Sequence, residues 1–573
     1  MKEHLFMKIL NVVIIAVFII SCENLTGSPH NTSNETIGES NGSEGVISEV
    51  LFPRSNATSV NVDTYFWVTF DSTPVIGSSG IIGIYDADDD SLVDSINLED
   101  KPVTNATEFQ KLTLMTAPST INIIGNTPGR DEVYPNQVRI VNYYPIIIDG
   151  KKVKIIPHNN KLKYGKTYYI RIDNGTFNGT IGGKMFTGIT NKETWRFSTK
   201  QMPTVTGNTI YVSADGKKDF TTLQGALDYI PVNNTTPYTV YVAAGVYEEL
   251  LFLRNKSNIS VIGDDRNSTI IQYDNYDSFN NGTGSGTNAD STTGLSLNQV
   301  FARGGRAILL ISGGDSINFE NLWFKSIHAQ GSASANQAET IYFNSNGRFV
   351  AKHCSFTGYQ DTIQVKGFSW FYDCLISGDV DFIWGANNTA LFENCEIRSR
   401  YNNNGGYIVQ ARSIAGYAGF VFLNCKLTRE SDLPDASVYL ARSYTTSGSN
   451  SSYYDNVAFI SCMIDSHIKP IGFLLPTTVV DTNPSKSSSV AGWREYGSYN
   501  SSGTLNLANR GATNGTTEVT GPVYSDQPAS HGTYVLSDEE VKALYTNRST
   551  ILSGATYGSF SYSGFSSGWV PIP

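Results

Sequence analysis

The most regular pattern in the chain is a repeat of apolar and polar positions in its central part. Each repeat has an apolar or aromatic run, a polar residue, usually a cysteine, a variable residue and an apolar residue. The six segments are INFENLWF from Ile317, FVAKHCSF from Phe349, FSWFYDCLI from Phe368, ALFENCEI from Ala390, GFVFLNCKL from Gly419 and NVAFISCMI from Asn456. They are short, rich in β-branched and aromatic residues and separated by Gly, Asn and Ser turns, so they predict strands rather than helices.

The cysteines of these segments give the length of the repeat. Cys354, Cys374, Cys395, Cys425 and Cys462 follow one another at spacings of 20, 21, 30 and 37 residues. A right-handed parallel β-helix accounts for this pattern, with coils of about 20 residues, longer spacings extruded as loops, and equivalent positions stacked about 4.8 Å apart. We therefore predict an all-β fold in which the five cysteines form one inward ladder.

The same stacking brings two aspartates together. Asp361 in GYQDT and Asp381 in DFIWG are 20 residues apart, which is one period of the repeat. On a β-helix they would project from the same face of adjacent coils. Two carboxyl groups at that distance cannot both ionise easily, so one is expected to keep its proton to higher pH than the other.

The N-terminal residues predict export and lipid attachment. Lys2 and Lys8 precede an apolar run over residues 9–20, which is too short to span a bilayer and typical of a signal peptide. The run ends at Ser21 and Cys22 in a sequence that resembles a bacterial lipobox. We predict a lipoprotein signal peptide over 1–22, lipidation of Cys22, and display on a bacterial outer membrane or cell surface. The alternative is an ordinary signal peptide with a fortuitous cysteine.

Two further regions precede the repeats. Residues 23–45 are poor in apolar side chains and predict a disordered tether. Residues 46–200 contain short alternating segments, which predict a small β-sandwich; the segments are Tyr65–Phe70, Val138–Asn142, Val153–Ile156 and Thr167–Ile172. With LKYGKTYYIRI from Leu162 and the closing Trp195–Ser198, this region resembles bacterial immunoglobulin-like modules of secreted enzymes. We expect a spacer or stabilising role, with glycan binding as the alternative.

Two helices are predicted around the coils. The first has a capping box at Thr221 and Gln224, and its apolar face, with Leu223 and Leu227, would cover the open N-terminal end of the β-helix. The second begins with a capping box at Ser537 and Glu540 and is expected to pack against the outside of the coils.

The net charge and two missing motifs argue against some classes of function. The net charge of −11 and the absence of a Lys/Arg run argue against a nucleic-acid-binding protein. The chain has no Gly-x-Ser-x-Gly segment and no histidine near either aspartate motif, so a Ser–His pair is not predicted. Any hydrolytic chemistry in this region therefore falls to carboxyl groups.

Five ordered segments carry a family resemblance. GVYEE from Gly245, QAETI from Gln337, GYQDT from Gly358, DFIWG from Asp381 and LARSY from Leu440 resemble the signature segments of the pectin methylesterase (pectinesterase) family, in the family's order. The resemblance extends from about 208 to 554 and assigns 208–573 to a pectinesterase-like β-helix. It implies that Asp381 is the nucleophile, Asp361 the general acid and base, Gln337 and Gln360 the oxyanion donors, and Arg442 the residue that holds the nucleophile.

The resemblance implies an esterase without cofactor or metal that acts on methylated pectin, and we expect a monomer. Arg442 is expected to keep Asp381 ionised, while an unpaired Asp361 keeps its proton. By resemblance to a bacterial member, Cys374 and Cys395 are the first choice for a disulfide. Our candidates for stacking on sugar rings, each of which has an alternative role in the core, are Tyr359, Trp384 and Tyr444.

The chain departs from the family pattern at four positions. Ser443 and Tyr444 replace Pro-Trp, Trp384 replaces Phe, and Glu339 stands where an apolar residue is usual. The predicted function is hydrolysis of methyl esters in polygalacturonate. A catalytically silent, lipid-anchored glycan-binding protein is the alternative from another class, and a β-helical glycoside hydrolase is less favoured because its further paired aspartates are missing.

Overall fold

The structure is a computed structural model that describes most of the chain after residue 49. The described ranges are 50–100, 121–124, 138–284, 302–329, 331, 336–403, 405–443, 453–474, 486–513, 518–519, 523–524, 529–530, 533–566 and 568–573. The predicted signal peptide, Cys22, the tether and Tyr444 lie outside these ranges, so lipidation and export remain predictions. Among the described residues, no helix is both long and apolar enough to cross a bilayer.

Three long sheets form a parallel β-helix, as the repeat predicts. Sheet one has 12 strands: Thr209–Val212, Tyr238–Val242, Ile259–Gly263, Ile317–Glu320, Arg348–Lys352, Gly367–Tyr372, Asn387–Glu393, Gly419–Leu423, Val457–Ile460, Trp493–Tyr496, Tyr534–Val535 and Val523–Tyr524. Sheet two has 10 strands: Gly245–Glu248, Thr269–Tyr273, Trp323–Ser326, Ser355–Thr357, Leu375–Gly378, Glu396–Ser399, Lys426–Arg429, Met463–Ile464, Tyr499–Asn500 and Gly503–Thr504. Sheet three also has 10 strands: Leu251–Arg254, Leu309–Ser312, Ile341–Asn344, Ile363–Val365, Val380–Gly385, Gly406–Ala411, Val438–Arg442, Gly472–Leu474, Gly511–Thr513 and Glu518–Val519.

A left-handed residue makes the turn from sheet one to sheet two in each repeat. It is the polar residue immediately before the cysteine, and its φ is between 48° and 56° at His353, Asp373, Asn394, Asn424 and Ser461. Asn and Asp tolerate this conformation better than most residues, which explains why the repeat carries a short polar side chain there. The turn then directs each cysteine into the core, where Cys354, Cys374, Cys395, Cys425 and Cys462 are at most 2% exposed.

The five cysteines form the predicted inward ladder, but all five are free thiols. The expected disulfide between Cys374 and Cys395 is absent from the structure. Each Sγ is instead directed at a backbone carbonyl oxygen of the coils, 3.4 Å from Ala351 O for Cys374 and 3.3 Å from Phe371 O for Cys395. In this arrangement the thiols serve as small core residues.

Nine described strands within residues 50–200 form two sheets around one separate core. The first sheet contains Leu51–Phe52, Phe66–Thr69, Lys152–Ile155 and Ile146–Asp149; the second contains Ala57–Val60, Arg196–Thr199, Thr167–Ile172, Ile81–Asp86 and Leu92–Asn97. Phe66, Tyr168 and Trp195 pack between them. The two sheets have the layout of a β-sandwich, whereas the immunoglobulin-like assignment stays a prediction.

One predicted sandwich strand belongs elsewhere. Arg139–Asn142, expected among the sandwich strands, pairs with Ile121–Ile124 on one side and with Ala302–Arg303 of the β-helix region on the other. The prediction was wrong because an alternating segment shows that a strand forms but not which sheet it joins. This small sheet connects the N-terminal part directly to the coils.

Four short sheets and four helical segments complete the described elements. The two-stranded sheets are Val75–Ile76 with Phe177–Asn178, Thr180–Ile181 with Lys184–Met185, Lys486–Ser487 with Ala529–Ser530, and Gly554–Tyr557 with Phe560–Ser563. The α-helices are Leu223–Tyr229, Asp538–Leu544 and Arg548–Ser553, and a 3-10 helix covers Leu507–Asn509. Ser537 and Glu540 form the predicted capping box, and Leu544 packs with Trp370 outside sheet one.

The helix Leu223–Tyr229 is capped differently from the prediction. Its N-cap is Thr222 rather than Thr221, and Gln224 donates to Asp228 Oδ1 at 2.7 Å instead of closing a capping box. The first backbone N–H groups are satisfied by two carboxylates: Asp63, from the N-terminal part, accepts from Thr222 N at 2.8 Å, and Glu249 accepts from Leu223 N at 2.9 Å. The Thr222 side chain still caps the helix by accepting from Gly225 N at 3.0 Å. The two long-range carboxylates take the place of the Gln224 half of the predicted capping box, which a sequence pattern does not reveal.

Arg139 is the main polar contact of the connecting sheet. Its guanidinium is 0% exposed and donates to four carbonyl oxygens of the β-helix. The distances are 3.0 Å to Leu251 O, 2.9 Å to Gly304 O and 2.8 Å to Ala307 O, and the fourth acceptor is Gly305 O. The N-terminal part therefore holds the backbone of 304–307, a segment that also reaches the candidate active site.

We predict that Arg139→Met lowers the free energy of unfolding by about 3 kcal/mol or more, because it leaves several buried carbonyl groups without donors. Urea unfolding measures this loss. The matched control is Arg171→Met, since Arg171 is exposed and lies over tyrosine rings; it should change stability by roughly 0.5 kcal/mol or less. Equal effects of the two substitutions would contradict a structural role for Arg139.

Candidate active site

Asp361 and Asp381 occupy equivalent positions on adjacent coils. Asp361 lies in a turn just before the strand Ile363–Val365, and Asp381 is the second residue of the strand Val380–Gly385. The pairing of Ile363 with Ile383 aligns the two positions. Asp361 N donates to Val380 O at 3.0 Å, which joins them directly. Both aspartates have left-handed backbone conformations, with φ of 64° and 48°. The two aspartates therefore lie on adjacent coils, as the repeat predicts.

Asp381 is held by two side chains from the following coils. Arg442 Nε donates to its Oδ1 at 2.8 Å, and Arg442 Nη2 donates to its Oδ2. Gln410 Nε2 also donates to Oδ2, at 2.9 Å. Burial raises the pKa of Asp381, and the hydrogen bonds and charge of Arg442 oppose that rise. Arg442 thus favours the ionised form, as expected, but does not outweigh burial.

Asp361 is not unpaired, contrary to the prediction. Arg306 Nη2 donates to Asp361 Oδ2 at 2.9 Å. The same guanidinium donates through Nε to both carboxylate oxygens of Glu339, at 2.9 and 3.0 Å, and through Nη1 to Asp277 at 3.0 Å. The prediction failed because Arg306 belongs to none of the sequence motifs and is 55 residues from Asp361.

The two aspartates differ in their electrostatic surroundings. Burial raises the pKa of Asp361 well above its usual range, the negative charge of Glu339 raises it further, and the charge of Arg306 opposes this. For Asp381, the opposing Arg442 makes close contacts with both carboxylate oxygens. Asp361 is therefore the carboxyl group of the pair that keeps its proton to higher pH.

The predicted oxyanion donors lie on neighbouring coils at the same edge of sheet three. Ala338 N donates to Gln360 O at 3.2 Å, which places Gln337 and Gln360 side by side along the backbone. Both side chains are half-buried. The Oε1 atom of Gln337 is buried and has no hydrogen-bond partner in the described part of the protein. Their role as oxyanion donors remains a prediction.

Two of the candidates for stacking on sugar rings, Tyr359 and Trp384, lie in the described part of the chain, and both rings lie against arginine side chains. The Tyr359 ring lies 3.8 Å from the guanidinium of Arg400, and its hydroxyl accepts from Arg400 Nη2 at 2.9 Å. Trp384 is 4% exposed, and its ring lies 4.5 Å from Arg412 and 5.7 Å from Arg306. Trp384 is thus a wall of the site rather than an open surface for sugar stacking.

Four residues of the site were missed from the sequence: Asp277, Arg306, Gln410 and Arg412. Gln410 could have been found, because the coil register places it beside Trp384. Arg306 could have been inferred only indirectly, from the unusual Glu339 that needs a cationic partner when buried. Among the described residues, no group of three or more His, Cys, Asp or Glu side chains is arranged to hold a metal ion.

The fold and this carboxyl pair define a parallel β-helix protein with a candidate hydrolytic site on sheet three. In comparisons with known proteins, residues 209–484 match the Pectinesterase family model. This region, slightly less than half of the chain, is therefore similar to the pectinesterase family.

The individual relatives have low sequence identity to this chain, and the alignments with the curated proteins cover only part of each sequence. Pectinesterase 31 of Arabidopsis thaliana is 30% identical over 224 residues, covering 38% of this chain and 64% of that protein. A pectinesterase of Petunia integrifolia is 26% identical over 273 residues, covering 46% and 64% respectively. The solved pectin methylesterase PemA from Erwinia chrysanthemi aligns with a TM-score of 0.43 and 24% identity, over 63% of this chain and 100% of that one. The chain spans less than two thirds of these curated relatives.

We predict that Asp361→Asn stabilises the fold increasingly as pH rises from about 4. A free aspartate has a pKa of about 3.9, and folding raises that of Asp361, so the stability contributed by its protonated form is complete below pH 3.9 and is lost as pH rises toward the folded-state pKa. Asn cannot ionise, yet it tolerates the φ of 64°.

Urea unfolding at a series of pH values measures this difference from wild type. The exposed Asp432→Asn serves as the control for replacing an aspartate at the surface. A constant difference for Asp361→Asn over the same range would show that folding does not perturb this carboxyl group.

Proposed function

We propose that the chain hydrolyses methyl esters of polygalacturonate, releasing methanol and de-esterified pectin. The observation that carries this proposal is the pair of aspartates on adjacent coils with different partners. Asp381 is bound by Arg442 and Gln410, whereas Asp361 is the group that keeps its proton to higher pH. The match of residues 209–484 to the Pectinesterase family model supports a methyl ester as the substrate.

Asp381 is the nucleophile in the proposed reaction. Its Oδ2 accepts hydrogen bonds from Arg442 and Gln410, while Oδ1 accepts only from Arg442 Nε among the described residues. Oδ1 therefore keeps a lone pair for attack on the ester carbonyl carbon. The attack forms a tetrahedral oxyanion, for which the side-chain amides of Gln337 and Gln360 would be the donors.

Asp361 completes both half-reactions. Collapse of the tetrahedral species breaks the bond to the methoxy group, which takes the Asp361 proton and leaves as methanol. The remaining acyl group is joined to Asp381 as an anhydride. The ionised Asp361 then accepts one proton from a water molecule whose oxygen attacks the acyl carbon, and the bond to Asp381 breaks. This step releases the galacturonic acid carboxyl group, which loses its proton to solvent, and restores Asp381 as the carboxylate and Asp361 as the acid.

We predict that Asp381→Asn and Asp361→Asn each reduce methanol release from methylated pectin by about two to four orders of magnitude, because the nucleophile or the proton donor is lost. Asn fits the left-handed backbone at both sites, so folding should survive. The control is Asp373→Asn, an exposed aspartate with φ of 48° in another turn of the coils, which should keep wild-type activity.

Each outcome of this assay bears on the proposal. An active Asp381→Asn protein would exclude the two-aspartate mechanism. A wild type that binds pectin without releasing methanol would favour the silent glycan-binding alternative instead.

We further predict that Arg442→Ala moves the acid limb of the activity profile to higher pH. Arg442 lowers the pKa of Asp381 through its hydrogen bonds and charge, so its removal raises that pKa and delays formation of the nucleophilic carboxylate. The pH dependence of kcat/KM for methanol release tests this expectation. A uniform loss of activity with an unmoved acid limb would mean that Arg442 acts only on structure.

A further inference from the structure

One guanidinium in the site contacts three carboxyl groups. Arg306 binds Glu339, Asp277 and Asp361 at 2.9 to 3.0 Å. The side chains are largely shielded from water, with exposed fractions of 12% for Arg306, 1% for Glu339, 16% for Asp277 and 10% for Asp361. Arg306 and Asp277 lie outside the five segments that carry the family resemblance, so their contacts with Glu339 and Asp361 are not part of the pattern from which the mechanism was inferred.

We propose that Arg306 and Glu339 are positioning residues that hold Asp361 as the proton donor: Arg306 orients the carboxyl group, and Glu339 neutralises Arg306 so that Asp361 stays protonated. This inference rests on the proposed function, because it assigns a proton donor for ester hydrolysis.

The hydrogen bonds fix which oxygen carries the proton. Arg306 Nη2 donates to Asp361 Oδ2, which leaves that oxygen as the acceptor. Asp361 Oδ1 has no hydrogen-bond partner among the described residues. The proton of the neutral carboxyl group therefore resides on Oδ1, the oxygen that is free to donate to a leaving methoxy group.

The charge balance explains why a contact with arginine does not remove this proton. An arginine bound to a single carboxyl group would favour its ionised form. Here Glu339 accepts two of the hydrogen bonds of Arg306 and Asp277 accepts a third. One positive charge is thus shared among three acidic groups, of which Asp361 makes only one contact with it.

Other charged groups around Asp361 also shift its pKa. Burial and the charges of Glu339 and Asp381 raise the pKa of Asp361, whereas Arg306 and Arg412 lower it. Arg442 also faces Asp361, but its hydrogen bonds go to Asp381. Removing the charge of Glu339 leaves Asp277 as the one other acidic partner of Arg306 among the described residues, so the opposing effect of Arg306 on Asp361 increases.

The N-terminal part fixes the backbone that presents Arg306. Arg139 donates to the carbonyl oxygens of Gly304, Gly305 and Ala307, on both sides of Arg306. Arg306 N also donates to Gly282 O at 2.9 Å. The cluster is therefore held in place by backbone contacts that do not involve the carboxyl groups.

The decisive variant is Glu339→Gln, which keeps the shape of the side chain and removes its charge. The alkaline limb of the pH profile of kcat/KM, where Asp361 loses its proton, should move to lower pH by about 1 unit or more. The acid limb, which Asp381 sets, should stay in place. The double variant Arg306→Gln with Glu339→Gln removes both charges and should return the alkaline limb toward the wild-type position.

Glu495→Gln is the matched control. Glu495 is also a fully buried partner of an arginine, at 2.8 Å from Arg510 Nε, but it lies in a distant coil outside the site. It should lower stability without moving either limb. If Glu339→Gln and Glu495→Gln give the same pH profile, the proposal is overturned.

Infrared difference spectroscopy tests the inference without any activity. The carbonyl band of the protonated carboxyl group, assigned by its loss in Asp361→Asn, should disappear at lower pH in Glu339→Gln than in wild type. An unchanged titration of this band would overturn the proposal. If the wild type releases no methanol but the band of Glu339→Gln still titrates at lower pH than that of the wild type, the proposed function is refuted while the role of Glu339 in keeping Asp361 protonated is supported.

Discussion

The parallel pairing of successive coils is the constraint on which the structure depends. Backbone hydrogen bonds fix the register, so each residue stacks on its equivalent in the next coil. This register aligns Phe356 with Ile376 in sheet two and Ile363 with Ile383 in sheet three. Asp361 lies in the turn before Ile363, and Asp381 lies at the start of the strand that contains Ile383. The carboxyl pair is therefore a consequence of coil stacking rather than of any contact between the two side chains.

Coil stacking also explains how much could be predicted from the sequence. The repeat revealed the parallel β-helix, the cysteine ladder and the adjacent aspartates, because each coil repeats one local pattern. The left-handed turn residue before each cysteine was visible as a polar position, although its conformational reason emerged only from φ values such as 48° at Asp373. Local periodicity is sufficient to predict a contact wherever that contact joins equivalent positions of neighbouring coils.

Contacts outside the repeat could not be predicted in this way. Arg306 reaches Asp361 from a segment that no motif includes, and the strand Arg139–Asn142 joins the coils although its pattern fitted the sandwich equally well. The expected disulfide failed for a related reason: Cys374 and Cys395 are adjacent, but adjacency does not decide between a disulfide and two packed thiols. These features depend on partners far away in sequence, which a local pattern does not specify.

The two aspartates have different surroundings, and the proposed roles of nucleophile and proton donor depend on that difference. Burial raises the pKa of both groups, but Arg442 is committed to Asp381, while Arg306 is shared among Asp361 and two other acids. The most direct test is the pH dependence of methanol release by the wild-type protein. The account predicts a bell-shaped profile of kcat/KM, with an acid limb from Asp381 and an alkaline limb from Asp361. Activity that keeps rising with pH, without an alkaline limb, would contradict it.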